Sequence, residues 1–88
     1  MRLDPLRSFS RDVDALPDAK LRQRLREVLL VIEAAQRIQE VPNVKKMKGH
    51  TKAFRIRVGE YRLGLFLEGN VVQLVRFLHR REVYRWFP

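Results

Sequence analysis

Two hydrophobic periods divide the chain. Phe9, Val13 and Leu16 recur at helical spacing after Ser8, a residue type that caps helices, and Leu16-Pro17-Asp18 breaks the run. From about Asp18 to Gln39 the apolar residues Leu21, Leu25, Val28, Leu29, Ile32 and Ala35 share one face, while Arg22, Arg24, Arg26, Glu27 and Glu33 lie elsewhere. This predicts a second helix with a core-facing stripe, ended by Val41-Pro42-Asn43. The period then shifts to two. Ala53 to Val58 sets Phe54, Ile56 and Val58 against Arg55 and Arg57, which predicts a strand with one buried face. Gly59-Glu60 reads as a two-residue hairpin turn, Tyr61 to Glu68 as the return strand, Gly69-Asn70 as a second tight turn, and Val71 to Leu78 as a third strand. A short strand over Arg2 to Leu6 would be confined to a sheet edge by Pro5. The pattern predicts a single α+β domain over residues 1–88, with two N-terminal helices packed on one face of a small antiparallel β-sheet.

Composition narrows the function classes. A chain of 88 residues has room for one core. Cysteine is absent, so neither a disulfide framework nor a thiolate metal site is available. His50 and His79 lack partners at zinc-site spacing, and no metal is expected. The N-terminal residues have no apolar core of a signal peptide, and the longest aliphatic run, Val28 to Ile32, is too short to span a bilayer. A soluble, cytoplasmic protein with no membrane partner is expected. The net charge of +9 is concentrated: residues 1–43 carry eight Lys/Arg against seven Asp/Glu, and residues 44–88 carry eleven against three. A field of that sign suits a polyanion, with RNA or DNA foremost.

The strand register focuses this charge. A tight Gly59-Glu60 hairpin sets Val58 opposite Tyr61, Arg57 opposite Arg62 and Arg55 opposite Gly64. Like charges directly across a ladder destabilise it, so three arginines converging on the face away from the helices point to a phosphate site. Gly64 is expected to leave floor space beside them. In the second hairpin, simple alternation extends this face to Phe66, Gln73, Val75, Phe77 and His79. Bases could stack there, or the apolar residues could meet a loop or a partner protein. The same alternation turns Arg76 toward the helices, which requires either an acidic partner or a bulge. Past the third strand, His79 and Tyr84 are the neutral proton-transfer groups of a cationic site. Lys45, Lys46, Lys48 and Lys52 form a cluster suited to RNA backbone, joined by Arg81.

The stretches Val44-Lys45-Lys46-Met47-Lys48-Gly49, Phe54-Arg55-Ile56-Arg57-Val58-Gly59-Glu60-Tyr61-Arg62 and His79-Arg80-Arg81-Glu82-Val83-Tyr84-Arg85 resemble, in order and separation, the RelE branch of the RelE/ParE toxin superfamily. Ser8-Phe9 to Leu16-Pro17 is similar to its opening helix. The resemblance implies a metal-independent mRNA interferase that cuts messenger RNA in the ribosomal A site and is neutralised by a cognate antitoxin. It implies site roles for Arg55 and Arg57 on one strand, Arg62 on the next, Arg80 past the last strand, and Tyr84.

The implied reaction is attack of the RNA's own 2′-hydroxyl on the adjacent phosphate, which needs no cofactor. Charge stabilisation is assigned to Arg62 and Arg80, orientation to Arg55, Arg57 and Tyr84, and proton transfer to His79 with Tyr84 as rival. Trp86 and Phe87 are read as exposed antitoxin anchors, the alternative being that they fold back into the core under the second helix. Competing readings are a ParE-like DNA gyrase inhibitor and a non-catalytic RNA-binding module.

Overall fold

A computed structural model describes residues 1–88 in the order β1 (Arg2–Pro5), α1 (Arg7–Asp14), α2 (Ala19–Ala34), a 3-10 turn (Ile38–Glu40), β2 (Val44–Lys46), β3 (Ala53–Val58), β4 (Tyr61–Glu68), β5 (Val71–His79) and α3 (Arg80–Trp86). The strands form one sheet in the order β1-β5-β4-β3-β2, parallel between β1 and β5 and antiparallel elsewhere. The α+β class, the two N-terminal helices, the edge strand bearing Pro5 and the β3-β4-β5 meander agree with the sequence reading. The sheet is mixed rather than purely antiparallel, and β2 and α3 are additional elements.

Alternation along β3 buries Phe54, Ile56 and Val58 against Leu21, Leu25 and Ile32 of α2, together with Phe9 and Leu16 at α1. Asp18 starts α2, its carboxylate accepting from the N–H groups of Lys20 and Leu21 at 2.9 and 3.3 Å. Two expectations about the helices need correction. Ser8 lies inside α1 rather than capping it, and its hydroxyl donates to the Val75 carbonyl. The second helix stops at Ala34 instead of Gln39. Continued helix would turn Ile38 to the far side from Ile32, whereas the extended Ala35 and the 3-10 turn bury Ile38 and Val41 in the same core. The Met1 amino group donates to the carbonyls of Glu33 and Ala35, at 2.8 and 2.9 Å, closing the exposed helix end.

Beyond β1, α1 covers the free edge of β5. Asp12 accepts from Arg76 through both oxygens, at 2.8 and 3.0 Å, and from the Phe77 N–H at 2.9 Å. The hydrogen bond to Asp12 holds the Arg76 guanidinium above its ordinary pKa against the opposing pull of burial. Asp12→Ala leaves a largely buried arginine and a strand N–H without partners. It is expected to lower stability by about 2–3 kcal/mol, read as a fall in the urea midpoint at unchanged slope. An unaltered midpoint would remove this bracket from the account.

A bulge between Gly64 and Leu65 resets the second hairpin. Gly64 pairs with Arg76 and Leu65 with Leu74, leaving Val75 as the extra residue. The bulge corrects the expected outer face, because Phe77 now pairs with Leu63 in the helix-side core and His79 with Tyr61. Phe66, Val75 and Leu78 do face away from the α1/α2 core, but α3 packs over them with Val83 and Phe87. They are therefore no open stacking surface for bases. The floor space at Gly64 is also filled: a Cβ there would lie 2.6 Å from the Phe87 ring. Phe87 is 3% exposed and sits 5.3 Å from Phe66, so it is a core residue and not an exposed anchor.

Candidate active site

The arginine convergence follows from strand period and turn length. Arg55 and Arg57 project from β3 away from Phe54, Ile56 and Val58. Gly59, at φ +61°, makes the two-residue turn that sets Arg57 opposite Arg62 and Arg55 opposite Gly64. Lys45 of β2 stands opposite Arg55. Helix α3 begins where β5 ends and folds back over the sheet, bringing Tyr84 to the same place. Together with Asn43 and Val44 these residues line an open cleft of about 390 Å³ with no acid in its wall.

Each guanidinium is held by a different device. Arg55 Nε donates to Met47 Sδ at 3.0 Å, and its Cζ lies 4.7 Å from the centre of the Tyr84 ring, a cation–π contact. Arg57 Nη2 donates to Asn43 Oδ1 at 3.2 Å. Arg62 Nη1 donates to the Gly59 and Tyr61 carbonyls at 3.0 and 2.9 Å. A guanidinium has five N–H donors, so each retains several for a phosphate. Like charges thus stay close without a carboxylate, an arrangement chemically suited to an anion.

Other expected site residues are not gathered into the cleft. Arg80 stands at the start of α3, its Nε 2.8 Å from a Glu60 carboxylate oxygen, with both side chains exposed. His79 meets Tyr61 edge-on with ring centres 5.6 Å apart, on the opposite face from Arg62, and its Nδ1 accepts from the Arg81 N–H. The Arg81 side chain is exposed and reaches no part of the cleft. Of the lysines, only Lys45 lines the cleft; Lys46 and Lys48 flank the exposed loop before β3, and Lys52 is paired with Glu68 at 2.8 Å. Trp86 is 56% exposed, with Arg76 5.7 Å from its ring.

Sequence reasoning missed Asn43, which lines the cleft at φ +65° and holds Arg57 by both backbone and side chain. Asparagine after proline is the available signal, since it tolerates the left-handed region better than most residues. No group of three or more His, Asp or Glu side chains comes together in a metal-binding arrangement.

No protein-family model matches the chain. In sequence it is 34% identical over 86 residues to Toxin RelE3 of Methanocaldococcus jannaschii, covering 93% of each protein. In structure it matches a chain of the RelB-RelE antitoxin-toxin complex from Methanococcus jannaschii at TM-score 0.80 and 28% identity, over 97% of this chain and 99% of that one. It matches the archaeal RelE-RelB complex from Pyrococcus horikoshii at TM-score 0.73 and 20% identity, covering 90% and 93% of the two chains. The isolated E. coli RelE toxin shares the fold at TM-score 0.70 and 22% identity, over 94% and 89%. Identity of this degree to RelE3, sustained over nearly all of both chains, makes the protein a member of the RelE family of toxins.

Proposed function

We propose that the protein is a metal-independent endoribonuclease that cuts messenger RNA in the ribosomal A site and is neutralised by a cognate antitoxin. The observation that carries this reading is the acid-free cleft in which Arg55, Arg57 and Arg62 from two strands meet Tyr84 from α3. The 2′-hydroxyl oxygen attacks the adjacent phosphorus, forming one P–O bond as the bond to the 5′-oxygen breaks. The products are a 2′,3′-cyclic phosphate and a free 5′-hydroxyl. One proton leaves the attacking hydroxyl and one reaches the departing oxygen.

The protein's part is to align the nucleotide and stabilise negative charge on the phosphate oxygens. Arg62, held by the turn carbonyls, does the second at the cleft, while Arg55, Arg57 and Lys45 orient the backbone. Arg80 adds a second stabilising charge by leaving Glu60, an exposed pair of a kind worth only about 0–1 kcal/mol. Proton transfer falls to Tyr84, the one residue lining the cleft that is both neutral and titratable.

Tyr84→Phe is therefore expected to slow cleavage about 10²-fold, the lower end for loss of a general acid or base. His79→Asn, which keeps a side-chain acceptor at the helix cap, is expected to stay within a few fold of wild type. Single-turnover rates on programmed ribosomes separate the two. The reverse ranking would return proton transfer to His79.

The crystallised archaeal relatives are RelE chains in complex with RelB, which supports an antitoxin partner here. Exposed Trp86, two residues beyond the cleft residue Tyr84 in α3, suits contact with an apolar antitoxin side chain. The relatives' family does not favour the gyrase-inhibitor reading. Adding the purified protein to translating ribosomes and mapping mRNA ends tests the proposal: cuts within the A-site codon are expected. Binding without cuts would instead indicate the non-catalytic RNA-binding module.

A further inference from the structure

Beside the cationic cleft, and sharing Asn43 and Arg57 with it, lies a second cavity of about 130 Å³. Its apolar walls are Val31 of α2 with Val41 and Pro42 from the turn before β2. Glu27, exposed on α2, and Asn43 and Arg57 complete its lining. Glu27 makes no ion pair or side-chain hydrogen bond, and Asn43 spends its Oδ1 on Arg57 while its Nδ2 has no acceptor. Val31, 44% exposed, stands open at the rim. Val41 belongs to the core and Arg57 with Asn43 to the cationic cleft, but exposed Glu27 and Val31 are needed for neither, and an acid so close to the cleft opposes phosphate binding.

A narrow apolar slot with an unpaired acceptor and an unpaired donor at its margins complements a nucleobase. The base has apolar faces, and its edge alternates N–H donors with ring-nitrogen and carbonyl acceptors. In RNA each base hangs from a sugar adjoining a phosphate. A chain whose phosphate is bound by Arg57 in the first cleft therefore brings a neighbouring base to the mouth of the second. We infer that this cavity receives the base of a nucleotide flanking the scissile phosphate. Glu27 there favours bases with an exocyclic amino group over uracil, whose one edge donor, N3–H, is flanked by two carbonyls that repel the carboxylate. The inference rests on the nuclease reading above and adds a base selector to it.

The test is a library of mRNAs randomised around the A-site codon, cut on translating ribosomes, with 5′-hydroxyl ends sequenced for the wild type, Glu27→Gln and Val31→Phe. Wild-type cuts are expected to be depleted in uracil at one flanking position by about tenfold, the scale of a good polar contact to a base edge. Glu27→Gln, equal in size but able to donate as well as accept, brings uracil to within about twofold of the other bases. Val31→Phe fills the slot and erases the preference at that position alone. A base profile identical in all three proteins overturns the inference. So does an unchanged profile accompanied by weakened antitoxin binding, which would give the cavity to an antitoxin side chain. Absence of any cut by the wild type would overturn the nuclease reading itself and this inference with it.

Discussion

Arg62→Ala is expected to lower the rate of mRNA cleavage by about 10²- to 10³-fold, the loss that follows removal of one preorganised donor from a developing oxyanion. The magnitude rests on how the side chain is held. Arg62 is half-buried, fixed by two carbonyls of its own turn, and set across the ladder from Arg57, so little reorganisation is needed when charge builds on the phosphate. Arg62→Lys should recover only part of the rate, because an ammonium keeps the charge and loses the fork. Arg80→Ala should act in the same direction. Circular dichroism is expected to remain that of the wild type for each variant. Loss of secondary structure in parallel with activity would make Arg62 a structural residue and refute its assignment.

Phe87→Ala is expected to cost about 3–5 kcal/mol, the range for deleting a buried phenylalanine ring, and to lower the melting temperature by more than about 10 °C. The ring occupies the space that Gly64 leaves open and meets Phe66 and Val83 beneath α3. A helix as short as Arg80–Trp86 has little stability of its own, so the lost ring should undock it and carry Tyr84 off the cleft. Gly64→Val approaches the same contact from the other side and is expected to do the same, since its Cβ would overlap the ring. Trp86→Ala, at an exposed position, should change the melting temperature little. A Phe87→Ala protein as stable as the wild type, with α3 amides still protected from exchange, would rule out this role.

The arginine cluster was legible because two local rules fix it. Alternation assigns Arg55 and Arg57 to one face of β3, and a turn of two residues leaves one possible partner for each across the hairpin. The second hairpin was less legible, since alternation cannot show where an extra residue falls. Arg76 gave the warning, and both of its proposed remedies occur, an acidic partner in Asp12 and a bulge at Gly64/Leu65. That one residue decides which face receives Phe77 and His79, and so keeps the histidine out of the cleft. Strand β2 has only three residues, two of them lysines, and carries no readable period. The burial of Phe87 depends on α3 folding back onto a glycine more than twenty positions earlier, a contact that no local pattern announces.

The most direct test of the account is the chemistry of the cut ends. Fragments from an mRNA cleaved on the ribosome should carry a 2′,3′-cyclic phosphate and a 5′-hydroxyl, and a 2′-deoxy substitution at the nucleotide before the cut should abolish cleavage. Fragments with 5′-phosphates and 3′-hydroxyls, or undiminished cutting of the 2′-deoxy substrate, would contradict it.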